Sequence, residues 1–400
     1  MVMSNLSDDL WIEIFLRLPF KSLLGSKSVS KSWFSLISSH RFAKSHLALT
    51  AKDDDDILIV RHKSGFEDVE EEDGSFSLFH LASNRILKNL KFPYSQGEYP
   101  FKLITSELVG SDCGIVCVSV DLWKWTAALQ KFDIYLWNPA TKHSKLLPPC
   151  TITPTNDSGT LGFGFDHVDM DFKVVRVVLP TDCALVCSNL SAEVYSSNTN
   201  NWRNIQSESI DSPCEGKYHV LHGFLFAIGL NNTMMAFNLN KEVFICDINL
   251  PVNSLDDLNI QTSVTDFKDT VAVMFSILNQ GKINLWTLDN ETCVCSGGVK
   301  ASWTKVLSVD LGVPLDSVEG LFNNVHFLQS KSDGHEFNSD SDRFLYNWSE
   351  KVTTNVPDHL FLESDQFFKY TKSLFSLVGF KRIKWAASSS RLQDPSTWDE

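Results

Sequence analysis

The stretch AEVYSSNTNNWRNI, residues 192–205, decides the fold. It opens with a short apolar run carrying Tyr195, passes through a turn of Ser, Asn and Thr, and closes on a second run carrying Trp202. Side chains two apart share one face of a strand, and Asn and Ser readily supply turn backbone, so this text reads as an antiparallel hairpin.

The same text recurs along the chain. It stands at 78–93 as LFHLASNRILKNLKFP, at 135–149 as YLWNPATKHSKLLPP and at 235–251 as MAFNLNKEVFICDINLP. Weaker copies are INLWTLDNETCVC at 283–295, whose partner strand arrives late with Trp303, and RFLYNWSEKVTTNV at 343–356. The aromatic anchors Phe79, Trp137, Tyr195, Phe237, Trp286 and Tyr346 follow at intervals of 58, 58, 42, 49 and 60 residues. Periods of roughly 40–50 residues belong to β-propellers, with each copy forming the outer hairpin of a four-stranded blade. Six anchors predict a six-bladed, kelch-like propeller over 75–384, with loop insertions accounting for the uneven spacing. Closing the ring protects strand edges that an open sheet would expose. Closure also predicts that Ile57–Arg61 and Lys372–Gly379 lie near each other. A sandwich or several small β domains is the competing architecture, but no linker-like break in composition interrupts 75–384.

Upstream, Asp53 to Asp56 and EDVEEED (67–73) flank one strand-like run, Ile57 to Arg61. Acidic runs are usually solvated loops, so 49–74 reads as an acidic linker with one strand. The alternating carboxylates around a glycine that a calcium loop requires are absent. Residues 385–400 read as a flexible tail.

Residues 1–48 change period and become helical. Ser7 is placed to cap a helix with Asp8 and Asp9 in its first turn, and Leu6 and Trp11 are placed as a hydrophobic staple. Leu10, Trp11, Ile14 and Leu18 recur at helical spacing until Pro19 stops the run. A short turn, Phe20 to Gly25, leads to a second stripe of Val29, Trp33, Leu36 and Ile37, and a third stretch runs from His40 to Leu49. A module this small is marginal by itself and commonly needs a partner to cover its apolar surface.

The stretch LSDDLWIEIFLRLPFKSLLGSKSVSKSWFSLISSHRFAKSHL resembles the plant F-box over its full length. The likeness rests on Leu6, Leu10, Ile14, Leu18-Pro19, Lys21-Ser22-Leu23, Val29, Lys31-Ser32-Trp33 and Ile37. Two positions depart from the pattern: Ser7 stands where proline is usual, and Gly25-Ser26 replace a bulkier pair. The resemblance implies that Leu6, Leu10, Ile14, Leu18, Pro19, Leu23, Val29 and Trp33 dock on a Skp-type adaptor, and through it on a cullin. The β region resembles the F-box-associated interaction domain of plants, including S-locus F-box proteins. That likeness rests on GSDCGIVCV (110–118), LWNPATKHSKLLPP, LGFGFDHVDMDFKVVRVV (161–178), FNLNKEVFICDINLP, ASWTKVLSVD (301–310) and YTKSLFSLVGF (370–380). Cys113 departs from the asparagine usual in the first of these, and SKSDGHEFNSDSD (330–342) is a polar insertion. Together the two likenesses imply the substrate-recognition subunit of a ubiquitin ligase, with a pistil S-ribonuclease as one specific target.

Charge supports a protein target over nucleic acid. The net charge is −14, divided as +3 over residues 1–48 and −17 over the rest, which holds 29 basic and 46 acidic side chains. An acidic bulk repels phosphate backbones and attracts basic proteins. No apolar run approaches the roughly 20 residues of a membrane span, and the N-terminus lacks the look of a signal peptide. The expected compartment is the cytoplasm, or cytoplasm and nucleus. Nine cysteines at scattered spacings, including Cys113/Cys117, Cys183/Cys187 and Cys293/Cys295, read as ordinary thiols.

Catalytic motifs are missing: there is no Gly-x-Ser-x-Gly elbow, phosphate loop or His-Glu-x-x-His. GFGFDH (162–167) lacks a third glycine and reads as a turn between blade strands. His219, His222 and Cys214 offer at most three ligands, and the two histidines are expected on opposite faces of a strand. Neither catalysis nor a cofactor is expected. The competing functions are an enzymatic propeller and a propeller that binds carbohydrate or another small molecule.

Overall fold

The computed structural model describes residues 7–50, 56–62, 75–90, 102–124, 129–152, 159–178, 191–205, 214–229, 232–251, 259–289, 301–322, 326–331, 343–356 and 366–382. Four short helices come first: α1 (Asp8–Leu16), α2 (Phe20–Ser26), α3 (Lys31–Ile37) and α4 (His40–Thr50). The segment 20–25, expected as a turn, is therefore helical. Pro19 leads directly into α2 with φ −57°, and Phe20, Leu23 and Leu24 then fall one helical turn apart, which drives Leu23 into the core. No helix among the described residues is long and apolar enough to cross a membrane.

After α4 the described strands form six antiparallel sheets. Sheet 1 orders β24 (Gln366–Lys369), β1 (Ile57–His62), β2 (Ser75–His80) and β3 (Arg85–Leu90). Sheet 2 runs β4 (Lys102–Asp112), β5 (Ile115–Lys124), β6 (Leu129–Asn138) and β7 (His143–Leu146), and adds β25 (Lys381–Arg382) on its outer edge. Sheet 3 is β8 (Gly159–Asp166), β9 (Asp171–Val178), β10 (Ser191–Ser196) and β11 (Asn201–Ile205). Sheet 4 is β12 (Cys214–Leu221), β13 (Phe224–Gly229), β14 (Thr233–Asn238) and β15 (Val243–Asn249). Sheet 5 is β16 (Ile260–Phe267), β17 (Thr270–Ile277), β18 (Lys282–Leu288) and β19 (Trp303–Asp310). Sheet 6 is β20 (Leu315–Phe322), β21 (His326–Lys331), β22 (Arg343–Asn347) and β23 (Val352–Val356). The expectation of six blades is thus corrected: five sheets are four-stranded blades, and sheet 2, with five strands, departs from the blade pattern.

Each aromatic anchor lies on the third strand of a sheet, and Phe79, Trp137, Tyr195 and Phe237 are buried. The polar turn between third and fourth strands repeats one piece of geometry. Asn138, Ser196 and Asn347 each accept, on a side-chain oxygen, the amide three residues ahead, at 3.1, 3.3 and 3.2 Å. Asn238 does the same for Lys241 at 2.8 Å. One residue further on, Lys142, Asn200, Glu242 and Lys351 all turn to a left-handed backbone with φ between 54° and 58°. A short acceptor side chain followed by one left-handed residue reverses the chain tightly, which is why the turns in the repeat are rich in Asn and Ser.

The sheets close into a ring. Separate apolar clusters join sheets 1 and 2, 3 and 4, 4 and 5, 5 and 6, and 6 and 1. The contact between sheets 2 and 3 belongs to a cluster shared with the helices. The seam is β24 on β1, with Leu58 opposite Lys369 and Arg61 opposite Gln366. Closure is therefore made by residues 366–369, whereas the segment 372–379 passes on to sheet 2. The strand expected inside the acidic linker is β1, a member of sheet 1 between β24 and β2. Residues 49 and 50 of that linker end α4, while 51–55 and 63–74, the 332–342 part of the insertion and the tail from 383 lie outside the described residues.

Buried ion pairs lock neighbouring sheets. Lys173 Nζ on β9 meets Asp166 at 3.1 Å and Glu242 at 2.9 Å, and donates to the Leu239 carbonyl at 2.6 Å. It thereby ties sheet 3 to the outer turn of sheet 4.

Candidate protein-binding surfaces

The helical module packs around four aromatic rings. Trp11 and Trp33 lie 4.7 Å apart, Phe15 and Trp33 4.9 Å, and Phe15 and Phe42 6.4 Å. Ser7 and Ser30 cap α1 and α3 by accepting the amides of Leu10 (3.5 Å) and Trp33 (3.1 Å). With the rings turned inward, part of the apolar text is left outside. Leu10 is 51% exposed, Ile14 42% and Val29 64%. Pro19 is also exposed.

The eight residues expected at an adaptor interface thus divide. Leu10, Ile14, Pro19 and Val29 are accessible, while Leu18 and Trp33 are half-buried against the module core. Leu23 is fully buried in the module core and is not presented at its surface. Leu6, with the staple expected of it, lies outside the described residues.

Sequence periodicity missed Phe34, which is 55% exposed. Phe34 falls off the Val29–Trp33–Leu36–Ile37 stripe, and an aromatic on the polar side of a helix was the signal that could have found it. Together with Val29 it lines a shallow depression of ≈ 420 Å³ whose rim carries Lys27 and Lys31. Burial pushes the Lys27 ammonium pKa below its ordinary value. An apolar floor with a basic rim fits a partner surface that is apolar and acidic.

The other side of the module is seated on the propeller. The His40 ring lies 5.7 Å from that of Phe375, and Lys44 Nζ donates to the His167 carbonyl at 3.5 Å. Phe15, Leu23, Ile37, Phe42 and Ala43 belong to one apolar cluster with residues of sheets 2 and 3.

At the propeller axis, innermost strands meet through polar groups. Asp266 on β16 lies 3.3 Å from His219 Nε2 on β12 and 3.1 Å from Lys369 Nζ on β24. Burial alone raises the Asp266 carboxyl, but the neighbouring His219 ring and the Lys369 ammonium outweigh it and hold it well below the usual carboxylate range. Arg61 on β1 donates to Ser106 and Thr105 on β4, both at 3.4 Å. His219 is thus engaged with a carboxylate, and His222 stands in the β12–β13 turn with φ 50°. Among the described residues no group of three or more His, Cys, Asp or Glu is placed to hold a metal ion. GFGFDH corrects in the same way: most of it is β8, and a Cβ on Gly162 or Gly164 would come within 2.8 Å of Leu225 or of Val220 and Leu239. These glycines allow sheets 3 and 4 to approach and do not form a turn. Cys113 and Cys117 are free thiols, and the other two cysteine pairs lie outside the described residues.

Comparison with known proteins agrees with this geometry. The chain matches the F-box domain over residues 3–45 and the F-box associated beta propeller domain over residues 66–305. The F-box protein CPR1 of Arabidopsis thaliana is 24% identical over 340 residues, covering 77% of this chain and 73% of that protein. An F-box/kelch-repeat protein of the same plant is 31% identical over 208 residues, about half of each chain. The F-box/WD-40 repeat-containing protein 1, also from Arabidopsis thaliana, is 25% identical over 82% of this chain and 75% of its own length. Among solved structures, the computationally designed Ika8 protein aligns with 75% of this chain and 87% of its own at a TM-score of 0.35 and 10% identity. The chain belongs to the F-box proteins that carry an F-box associated beta propeller domain.

Proposed function

We propose that this chain is the substrate-recognition subunit of an SCF-type (Skp–cullin–F-box) ubiquitin ligase, working in the cytoplasm or in cytoplasm and nucleus. The helices dock on a Skp-type adaptor and through it on a cullin, and the propeller holds a protein target for ubiquitination. The observation that carries this reading is the exposure of Leu10, Ile14 and Val29 on a module whose own core is continuous with that of the propeller. A receptor of this kind contributes geometry, not covalent chemistry: it keeps two proteins together and raises their effective concentration. The −17 charge outside the helical module favours a target with a basic patch. The S-locus resemblance makes a pistil S-ribonuclease the specific candidate.

The test is affinity purification of the full-length protein from plant cells. Adaptor and cullin should co-purify with the wild type. Leu10→Ala, Ile14→Ala and Val29→Ala combined should reduce adaptor recovery at least tenfold without changing thermal stability, since these side chains are exposed. A wild type that brings down no adaptor would overturn the proposal. Any target recovered should associate more slowly as salt rises from low to physiological strength, where charges are screened beyond roughly 8–10 Å.

A further inference from the structure

The ring is complete at Lys369, where β24 pairs with β1 and the Tyr370 amide donates to the Ile57 carbonyl at 2.8 Å. The chain nevertheless continues, ordered, to Arg382. Beyond Tyr370 these residues make no pairing with β1, and their contacts show what they do instead. Fully buried Asn138, at the end of β6, donates through Nδ2 to the carbonyls of Ser373 and Phe375, both at 3.0 Å. The Phe375 ring then lies 5.2 Å from Phe165 and 5.4 Å from Phe172 of sheet 3, and 5.7 Å from His40 of the helical module. His40 Nε2 also lies 3.3 Å from the Ser376 carbonyl. Lys145 Nζ donates to the Val378 carbonyl at 2.7 Å, and Lys381 and Arg382 pair with Ser144 and His143 as the fifth strand of sheet 2.

Fit is tight on the propeller side as well. Gly114, at φ +74°, faces this segment so closely that a Cβ there would overlap Ser373. Leu374, Phe375 and Leu377 are buried in the one cluster that contains residues of the helices and of sheets 2 and 3 together.

We propose that residues 370–382 are a clasp that fastens the helical module to sheets 2 and 3 and fixes one orientation between the face carrying Leu10, Ile14 and Val29 and the propeller. Phe375 is the wedge, and Asn138 is the positioning residue that sets it. Without such packing the helices and the ring would be two separate cores on one chain. A single shared core makes them one body, in which the distance from adaptor face to propeller is set by packing. The inference goes beyond the ligase reading and does not depend on any partner being identified.

Amide hydrogen exchange on the full-length protein tests it. Asn138→Asp keeps the shape of the side chain and its Oδ1 acceptor for the Thr141 amide, but faces two carbonyl oxygens with a carboxylate. Exchange in α4, His40 to Thr50, should accelerate at least tenfold in this variant and in Phe375→Ala. Strands β16 to β19, across the ring, should keep their wild-type protection. Val378→Ala, which alters an exposed side chain of the same segment, should change neither. Unchanged α4 exchange in both variants would show that the module holds its seat without the clasp. Loss of protection in β16–β19 together with α4 would show that Phe375 only supports the propeller as a whole. Either result overturns the proposal.

Discussion

Glu193 is completely buried yet fully engaged. Its Oε1 accepts from Arg176 at 2.7 Å, and its Oε2 accepts from the Thr151 amide (2.8 Å), the Thr151 hydroxyl (2.7 Å) and the Ile152 amide (3.2 Å). Arg176 completes the set by donating to the Ile152 carbonyl at 2.8 Å. This pair pins the connection between sheets 2 and 3 to the face of sheet 3. Removing one member leaves an uncompensated buried charge, which typically costs about 3–5 kcal/mol. Glu193→Ala should therefore lower the urea midpoint by that equivalent, and combining it with Arg176→Met should restore a large part of the loss. A Glu193→Ala protein as stable as the wild type would show that water reaches and solvates Arg176. At the same scale, Cys113 adopts φ 49°, a left-handed backbone that asparagine tolerates better than cysteine. The asparagine expected from the family resemblance at this position thus has a physical reason.

At the scale of elements, the helical module separates residues that hold it together from residues it displays. Leu23 on α2 is fully buried, whereas Leu10 and Ile14 on α1 are exposed although they share a stripe with Trp11. Leu23→Ala should cost about 2–5 kcal/mol, as truncation of a buried leucine usually does. Because the module core is continuous with that of sheets 2 and 3, the loss should appear in circular-dichroism melting as one lowered transition. A separate early transition confined to the helices would show that the two cores unfold independently. Periodicity found three of the four helices and missed α2, where Pro19 before it and Gly25 within it read as turn signals. Hairpin text, by contrast, was legible because its turns are rich in Asn and Ser, and in four of them such a residue accepts the amide three positions ahead before a left-handed residue.

For the whole molecule, the axis couples sheets that are distant in sequence. Asp266 joins sheet 5 to His219 of sheet 4 and to Lys369 of sheet 1. Its pKa in the folded protein is depressed, so the unfolded chain binds this proton more readily than the folded one. The stabilisation is fully present above the unfolded value of about 3.9 and is lost as pH falls toward the folded value. Between neutrality and about pH 5 the stability gap between wild type and Asp266→Asn should stay constant, and below about pH 4 it should narrow. Chemical unfolding across that range provides the measurement. A gap independent of pH would mean that Asp266 contributes to the ring through shape alone.

Local physics made much of this protein legible in its sequence. Turn chemistry, strand alternation and aromatic spacing depend on residues close together in the chain, and they gave the β-propeller class, the hairpins and the helical N-terminal module. Leu10, Ile14 and Val29 sit on apolar stripes, and the F-box resemblance nominated them for an interface. Which members of a stripe face outward was decided only by packing, as Leu23 and Phe34 show in opposite directions. The fifth strand of sheet 2, the seam at 366–369 and the clasp at 370–382 join residues more than two hundred positions apart. Such contacts exist only once the ring has closed, because it is closure that brings β24 to β1 and carries the segment after it over sheets 2 and 3 to the helices.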